Sequence, residues 1–114
     1  MNKRATGSKY EEMAAEYLVS KGYTIECRNY RDRYGEIDII ARQNGVLVFI
    51  EVKYRSTSSA GNPLEAVTAH KQRQIRSAAL SYMRFKQYNP EAINIRFDCI
   101  GILGNEINHV ENAF

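Results

Sequence analysis

The chain has 114 residues, the usual size of one domain, so one core over residues 1–114 is expected. Hydrophobic residues make up 44% and charged residues 25%, which excludes disorder, collagen-like repeats and coiled coil. The 16 Lys and Arg against 13 Asp and Glu give +3 at pH 7, a lean toward anionic partners.

Cys27 and Cys99 have no Cys or His at metal spacing, so they read as reduced thiols buried in strands of a cytoplasmic protein. The start lacks an apolar targeting segment and the longest apolar run, Val46 to Ile50, is too short for a bilayer, so export and membrane insertion are not expected.

Ser8 followed by Glu11 has the spacing of a capping box, and Met13, Ala14, Tyr17 and Leu18 form an apolar stripe, predicting a helix from Ser8 to Lys21 stopped by Gly22. Tyr23 to Tyr30 reads as a strand, and Arg31 to Gly35 as a charged turn. Glu36–Gln43 and Val46–Arg55 are rich in Ile and Val, and Asn44-Gly45 between them is a strong hairpin signal. Ser56 to Pro63 reads as a loop at the hairpin's end, either a plain connector or a gate. Thr68 caps a helix running to Asn89, with Ile75, Ala78, Ala79, Tyr82 and Met83 as its inward stripe. Ile93 to Leu103 is a further strand, and a short edge strand near Ile107 to Val110 follows Gly104. The order α-β-β-β-α-β, with one more strand, predicts an α/β fold with a mixed central sheet flanked by helices.

If Asn44 and Gly45 make the whole turn, partner numbers along the hairpin sum to 89. That arithmetic sets Asp38 opposite Glu51 and Glu36 opposite Lys53, all on one face. Opposed carboxylates about 4 Å apart repel by about 4 kcal/mol at an effective dielectric of 20. A hard divalent cation such as Mg²⁺ relieves this, with Lys53 placed to serve an attacking water. The bland reading places Asp38 and Glu51 at solvated strand ends, paired with Lys53 and Arg55. Against it stand Ile39, Ile40, Phe49, Ile50 and Val52, neighbours typical of a buried strand pair, where charges are expensive.

Gly35-Glu36-Ile37-Asp38 followed by Glu51-Val52-Lys53 is similar to the D-(x)n-E-x-K core of the PD-(D/E)XK nuclease superfamily. Nearly the whole chain resembles the YraN-like family of small bacterial proteins. The resemblance rests further on Gly7 with Glu11, Phe49 to Lys53 with Arg55, Gly61 and Pro63, Lys71, and Arg96-Phe97-Asp98. It implies a restriction-endonuclease-like core related to Holliday-junction resolvases, a metal-dependent DNA endonuclease acting on branched or structured DNA. Asp38 and Glu51 would hold Mg²⁺ or Mn²⁺, with Lys53 as the third catalytic residue and Glu11 as a further carboxylate or a mere capping-box partner. The alternative is an inactive nucleic-acid-binding relative serving repair, recombination or competence.

Three assignments stay open at this level. Glu36 is either a secondary acid of the site or the cross-strand partner of Lys53. Asp98 is either a neighbour of the metal or the partner of an arginine at the sheet end. The second helix carries Lys71, Arg73, Arg76, Arg84 and Lys86 with no acid, a face either solvated or made for backbone phosphates beside Arg55. Arg31, Arg33, Tyr34 and Tyr54 flank the site end and would add phosphate or stacking contacts. Tyr17 and Tyr82 read as core or rim, and His70 and His109 as isolated. A homodimer suits a two-stranded junction, because two cuts need two sites.

Overall fold

The computed structural model describes residues 3–55 and 67–114, with side chains from residue 9 onward. Its elements follow in the order α1 (Lys3–Ser20), β1 (Thr24–Arg31), β2 (Glu36–Gln43), β3 (Val46–Arg55), α2 (Ala69–Phe85), β4 (Asn94–Leu103) and β5 (Glu106–Val110). The expected loop from Ser56 to Pro63 lies outside the described residues.

Two helix ends differ from expectation. Helix α1 starts at Lys3, which puts Ser8 inside it; an N-cap needs a non-helical backbone, so the capping box of Ser8 and Glu11 is not formed. Its other end closes as predicted, with Gly22 at φ +91° and the Tyr23 N–H donating to the Leu18 carbonyl at 3.0 Å. Helix α2 is capped by the Thr68 hydroxyl, which accepts from the Lys71 N–H at 3.1 Å. It ends at Phe85 rather than Asn89, because Gln87 turns left-handed at φ +60° and the Tyr88 N–H closes on the Met83 carbonyl.

The five strands lie in sequence order in one sheet, antiparallel except for the parallel pair of β3 and β4. That parallel pair needs a crossover, which α2 supplies. Apolar residues on both sides of β2, β3 and β4 demand cover on both faces. Ala14 and Leu18 of α1 pack on Ile39, Ala41, Val48, Ile50 and Ile100. On the opposite face Ile75, Ala78, Ala79 and Met83 of α2 pack on Ile40, Leu47 and Phe49. Cys99 is buried as expected, whereas Cys27 is only half-buried.

Asn44 at φ +53° and Gly45 at φ +78° form the two-residue turn, and partners sum to 89 from Gln43 with Val46 to Ile39 with Ile50. There the ladder stops. Asp38 does not pair with Glu51, nor Glu36 with Lys53; instead the Val52 N–H donates to Asp38 Oδ2 at 2.8 Å. Meanwhile β3 stays paired with β4 as far as Arg55 and Leu103. The two strands of the hairpin therefore fork, with a side-chain oxygen replacing a backbone carbonyl at the branch.

A second irregularity sits at the same level. Asn29, opposite Asp38 on β1, has φ +55°. Beyond it the facing of β2 slips by one residue: Ile40 and Ile37 both face α2, while Ile39 between them faces α1. The slip turns Asp38 out of regular alternation and aims it into the fork.

Candidate metal centre

Three elements bring acids to the fork. Glu11 comes from α1, Glu36 and Asp38 from β2, and carboxylate oxygens of these three lie within 4.8 Å of one another, close enough to hold one metal ion. Glu51 enters from β3 on the face of α2, by strand alternation from Leu47 and Phe49. It stands outside that group of three, and Asp38 is the member whose charge acts on both Glu11 and Glu51.

The electrostatics show how crowded the acids are. Burial, then the Asp38 charge, pushes the Glu51 carboxyl up to about 7, against the lowering pull of Lys71 and Lys53. Burial also raises Asp38; the Val52 N–H opposes this, Glu36 adds to it, and Lys71 and Lys53 pull it down. Glu11 is raised by burial and by Asp38, although the Asn29 amide, turned to donate, reaches both its oxygens at 3.1 and 3.0 Å. The Cys99 thiol is pushed up to about 12 by burial and by Glu51, so it is no nucleophile.

Lys53 Nζ lies 3.4 Å from Glu51 Oε1, which leaves Glu51 Oε2 buried and without a hydrogen-bond partner. Other enclosed acids are treated differently. Asp98, fully buried, accepts two hydrogen bonds from Arg96 at 2.9 Å, one from the Asn112 N–H at 3.1 Å, and meets His109 Nε2 at 2.7 Å. Glu26 accepts from Tyr82, Tyr88 and Arg42. Among the described residues, Glu51 Oε2 is the buried side-chain oxygen left without a partner. A buried acceptor in that state costs about 1–3 kcal/mol, and either a proton on the raised carboxyl or a metal cation would satisfy it.

The remaining candidates separate. Glu36 pairs with Arg31 at 3.0 Å, its direct neighbour across β1 and β2, so the expected pair with Lys53 is not made. Asp98 lies on the face of α1, opposite Glu51, and is the partner of Arg96 rather than a neighbour of the acids. His109 is not isolated: it bridges Asp98 and the Tyr17 hydroxyl. Nothing near position 109 in the sequence signals this, because the partners come from α1 and β4. Lys71, in the first turn of α2, acts on both Asp38 and Glu51. Arg73 is exposed, Arg76 lies over the Phe97 ring at 4.7 Å, and Arg55 turns back to donate to the Tyr54 carbonyl. Asn29 is the site residue that sequence reasoning missed; an asparagine in a strand, tolerant of positive φ, was its one signal. An apolar cavity lined by Ala15, Val19, Ile25 and Arg28 lies between α1 and β1, and none of the four carboxylates lines it. Among the described residues no helix is long and apolar enough to cross a membrane.

Comparison with known proteins gives a consistent picture. A family model described as "Uncharacterised protein family UPF0102" matches residues 10–102. A UPF0102 protein of Lachnoclostridium phytofermentans is 49% identical over 114 residues, covering all of this chain and 96% of that protein. A relative from Fusobacterium nucleatum is 44% identical over 98% of this chain and 92% of its own, and one from a Sulfurihydrogenibium species is 42% identical over 100% and 97%.

Proposed function

We propose, from the premise that the chain belongs to the UPF0102 family, that it is a metal-dependent nuclease hydrolysing phosphodiesters, with DNA as its substrate. The observation that carries this reading is Glu51 Oε2, a buried acceptor with no partner, in a fork where Asp38, Glu11 and Glu36 already crowd negative charge. Structural acids of this protein are fully partnered, as Asp98 and Glu26 are; an acid kept short of a partner beside other acids fits a cation site. The likeness of Asp38, Glu51 and Lys53 to the D-(x)n-E-x-K core supports the same reading.

Asp38 and Glu51 would hold Mg²⁺ or Mn²⁺, assisted by Glu11, while Glu36 stays tied to Arg31. The ion, when bound, would acidify a water and draw charge from the phosphate oxygens. The protein's own residues do the rest. Val52 fixes one oxygen of Asp38 and Asn29 steadies Glu11, so the acids are oriented by the backbone of β3 and a side chain of β1. Lys53, held 3.4 Å from Glu51 Oε1 while Oε2 is left open for a cation, would orient the water or meet charge developing on phosphorus. Lys71 adds positive potential from the N-terminal turn of α2, where backbone N–H groups also favour anions. Arg73 and Arg55 would give affinity for backbone phosphates without reading sequence, and Arg76 would add charge along the same helix.

The test is cleavage of labelled single-stranded, duplex, flapped and four-way-junction DNA with Mg²⁺ or Mn²⁺, wild type beside Asp38→Asn and Lys53→Ala. Cleavage that needs metal and vanishes in both variants is expected. Salt-dependent binding with no scission at any protein concentration would refute catalysis and leave a binding protein.

A further inference from the structure

Beside the acids, on the face of the sheet that carries α1, two tyrosines are stacked on each other. The rings of Tyr10 and Tyr54 lie 3.5 Å apart between centroids and 15° from parallel. Each adjoins a site residue in the chain: Tyr10 precedes Glu11, and Tyr54 follows Lys53. Strand alternation sends Lys53 toward α2 and Tyr54 toward α1. Tyr10 continues the stripe of Ala14 and Leu18 one turn beyond the buried core, so the pair stands at its rim, both rings half-buried. Packing alone favours offset or edge-on rings, as Phe49 adopts here with Phe97, offset at 5.4 Å and 25°, and with Tyr82 at 85°; the 3.5 Å centroid distance of Tyr10 and Tyr54 leaves almost no offset. The face-to-face pair at the rim instead makes a flat aromatic surface, with Lys9 Nζ lying over the Tyr10 ring 5.7 Å from its centroid.

We infer that this pair is a stacking platform for an unpaired nucleobase, and that the substrate is therefore single-stranded or splayed where its phosphate meets the acids. The inference rests on the nuclease reading and names its substrate class. A base inside a duplex has both faces covered by its neighbours and cannot use the platform; an unpaired base offers a free face at little cost. With the phosphate near Asp38 and Glu51, one nucleotide places its base toward α1 while Lys53 and Lys71 keep the other side of the fork.

The experiment uses the full chain in Ca²⁺ and oligonucleotides carrying 2-aminopurine, either single-stranded or in a blunt duplex. Binding is expected to quench the single-stranded probe and not the duplex one. Tyr10→Leu and Tyr54→Leu, which keep apolar volume, are expected to weaken single-strand binding about tenfold and duplex binding by less than about twofold, while Tyr54→Phe keeps the quenching. Circular dichroism confirms that each variant is folded, and Tyr10→Phe serves beside Tyr54→Phe as the aromatic control. Equal losses on both probes, or unchanged quenching in the leucine variants, would overturn the platform. Binding that ignores strand pairing sinks the platform and spares the nuclease reading; no binding of either probe sinks both.

Discussion

Replacing Glu51 by Gln should make the metal-free protein more stable at pH 8 and no more stable at pH 4. The Glu51 side chain is only 5% exposed and its carboxyl is pushed from 4.5 up to about 7. A folded-state value above the unfolded one means that the folded protein binds more protons in between, so stability falls as pH rises from 4.5 through 7. Complete ionisation costs the folded state about 3 kcal/mol. That cost is already net of the pull of Lys53 and Lys71; the amide of the variant keeps part of the burial penalty at the same place, which leaves a gain of about 1–3 kcal/mol for Glu51→Gln at pH 8. Urea titrations of both proteins in EDTA across this range give the difference directly, and carboxylates common to both cancel. Added Mg²⁺ should then reverse the order, since a ligand at a hundred times its Kd stabilises by about 2.7 kcal/mol and Glu51→Gln binds it poorly. A variant less stable than wild type at pH 8 in EDTA, or a difference that does not change with pH, would refute the account of Glu51 as a strained acid.

Metal affinity should rise with pH toward 7, because Glu51 releases a proton on binding; calorimetry in buffers of different ionisation heat will show that release, and its absence counts against Glu51 as a ligand. Asp98→Ala should cost about 3 kcal/mol by removing the buried acceptor shared by Arg96, His109 and the Asn112 N–H, although Arg96 keeps Glu111 at 3.7 Å, yet leave Mg²⁺ affinity of the folded protein unchanged. Its carboxyl is held low by His109, Arg96 and Asn112 against burial, so that stability is present at neutral pH and lost as pH falls through its folded value. Gly45→Ala should lose about 1 kcal/mol in a thermal or urea melt, since φ +78° strains any Cβ although nothing lies within 4 Å of it; an unchanged midpoint would contradict the turn assignment.

The amino-acid pattern carries the sheet almost completely and the site only in part. Asn44-Gly45 sets the hairpin register, and alternating Ile and Val set its faces, because turn chemistry and period-two burial are local. The same arithmetic fails one pair further on, at Asp38 and Glu51, since it assumes an unbroken ladder and cannot foresee a carboxylate that takes the place of a carbonyl. Glu36 goes to Arg31 for the same reason: once the strands fork, its nearest cross-strand neighbour is on β1. Glu11 reaches the acids through the packing of α1 on the sheet, and no spacing within α1 encodes that. His109 and Glu26 find their partners between 11 and 92 residues away in sequence, where a residue-by-residue reading has no purchase.

The bond from Val52 to Asp38 ties heredity to architecture. Position 38 must supply an acceptor for a β3 amide whether or not the protein cuts anything. A lineage that abandoned hydrolysis would therefore drift toward asparagine there, which keeps the oxygen and sheds the charge, and would rarely settle on alanine. Because Asp and Asn codons differ by one base, silencing this fork takes a single nucleotide change and leaves the scaffold standing. What such a lineage carries at position 38 thus records the loss of chemistry separately from the loss of fold.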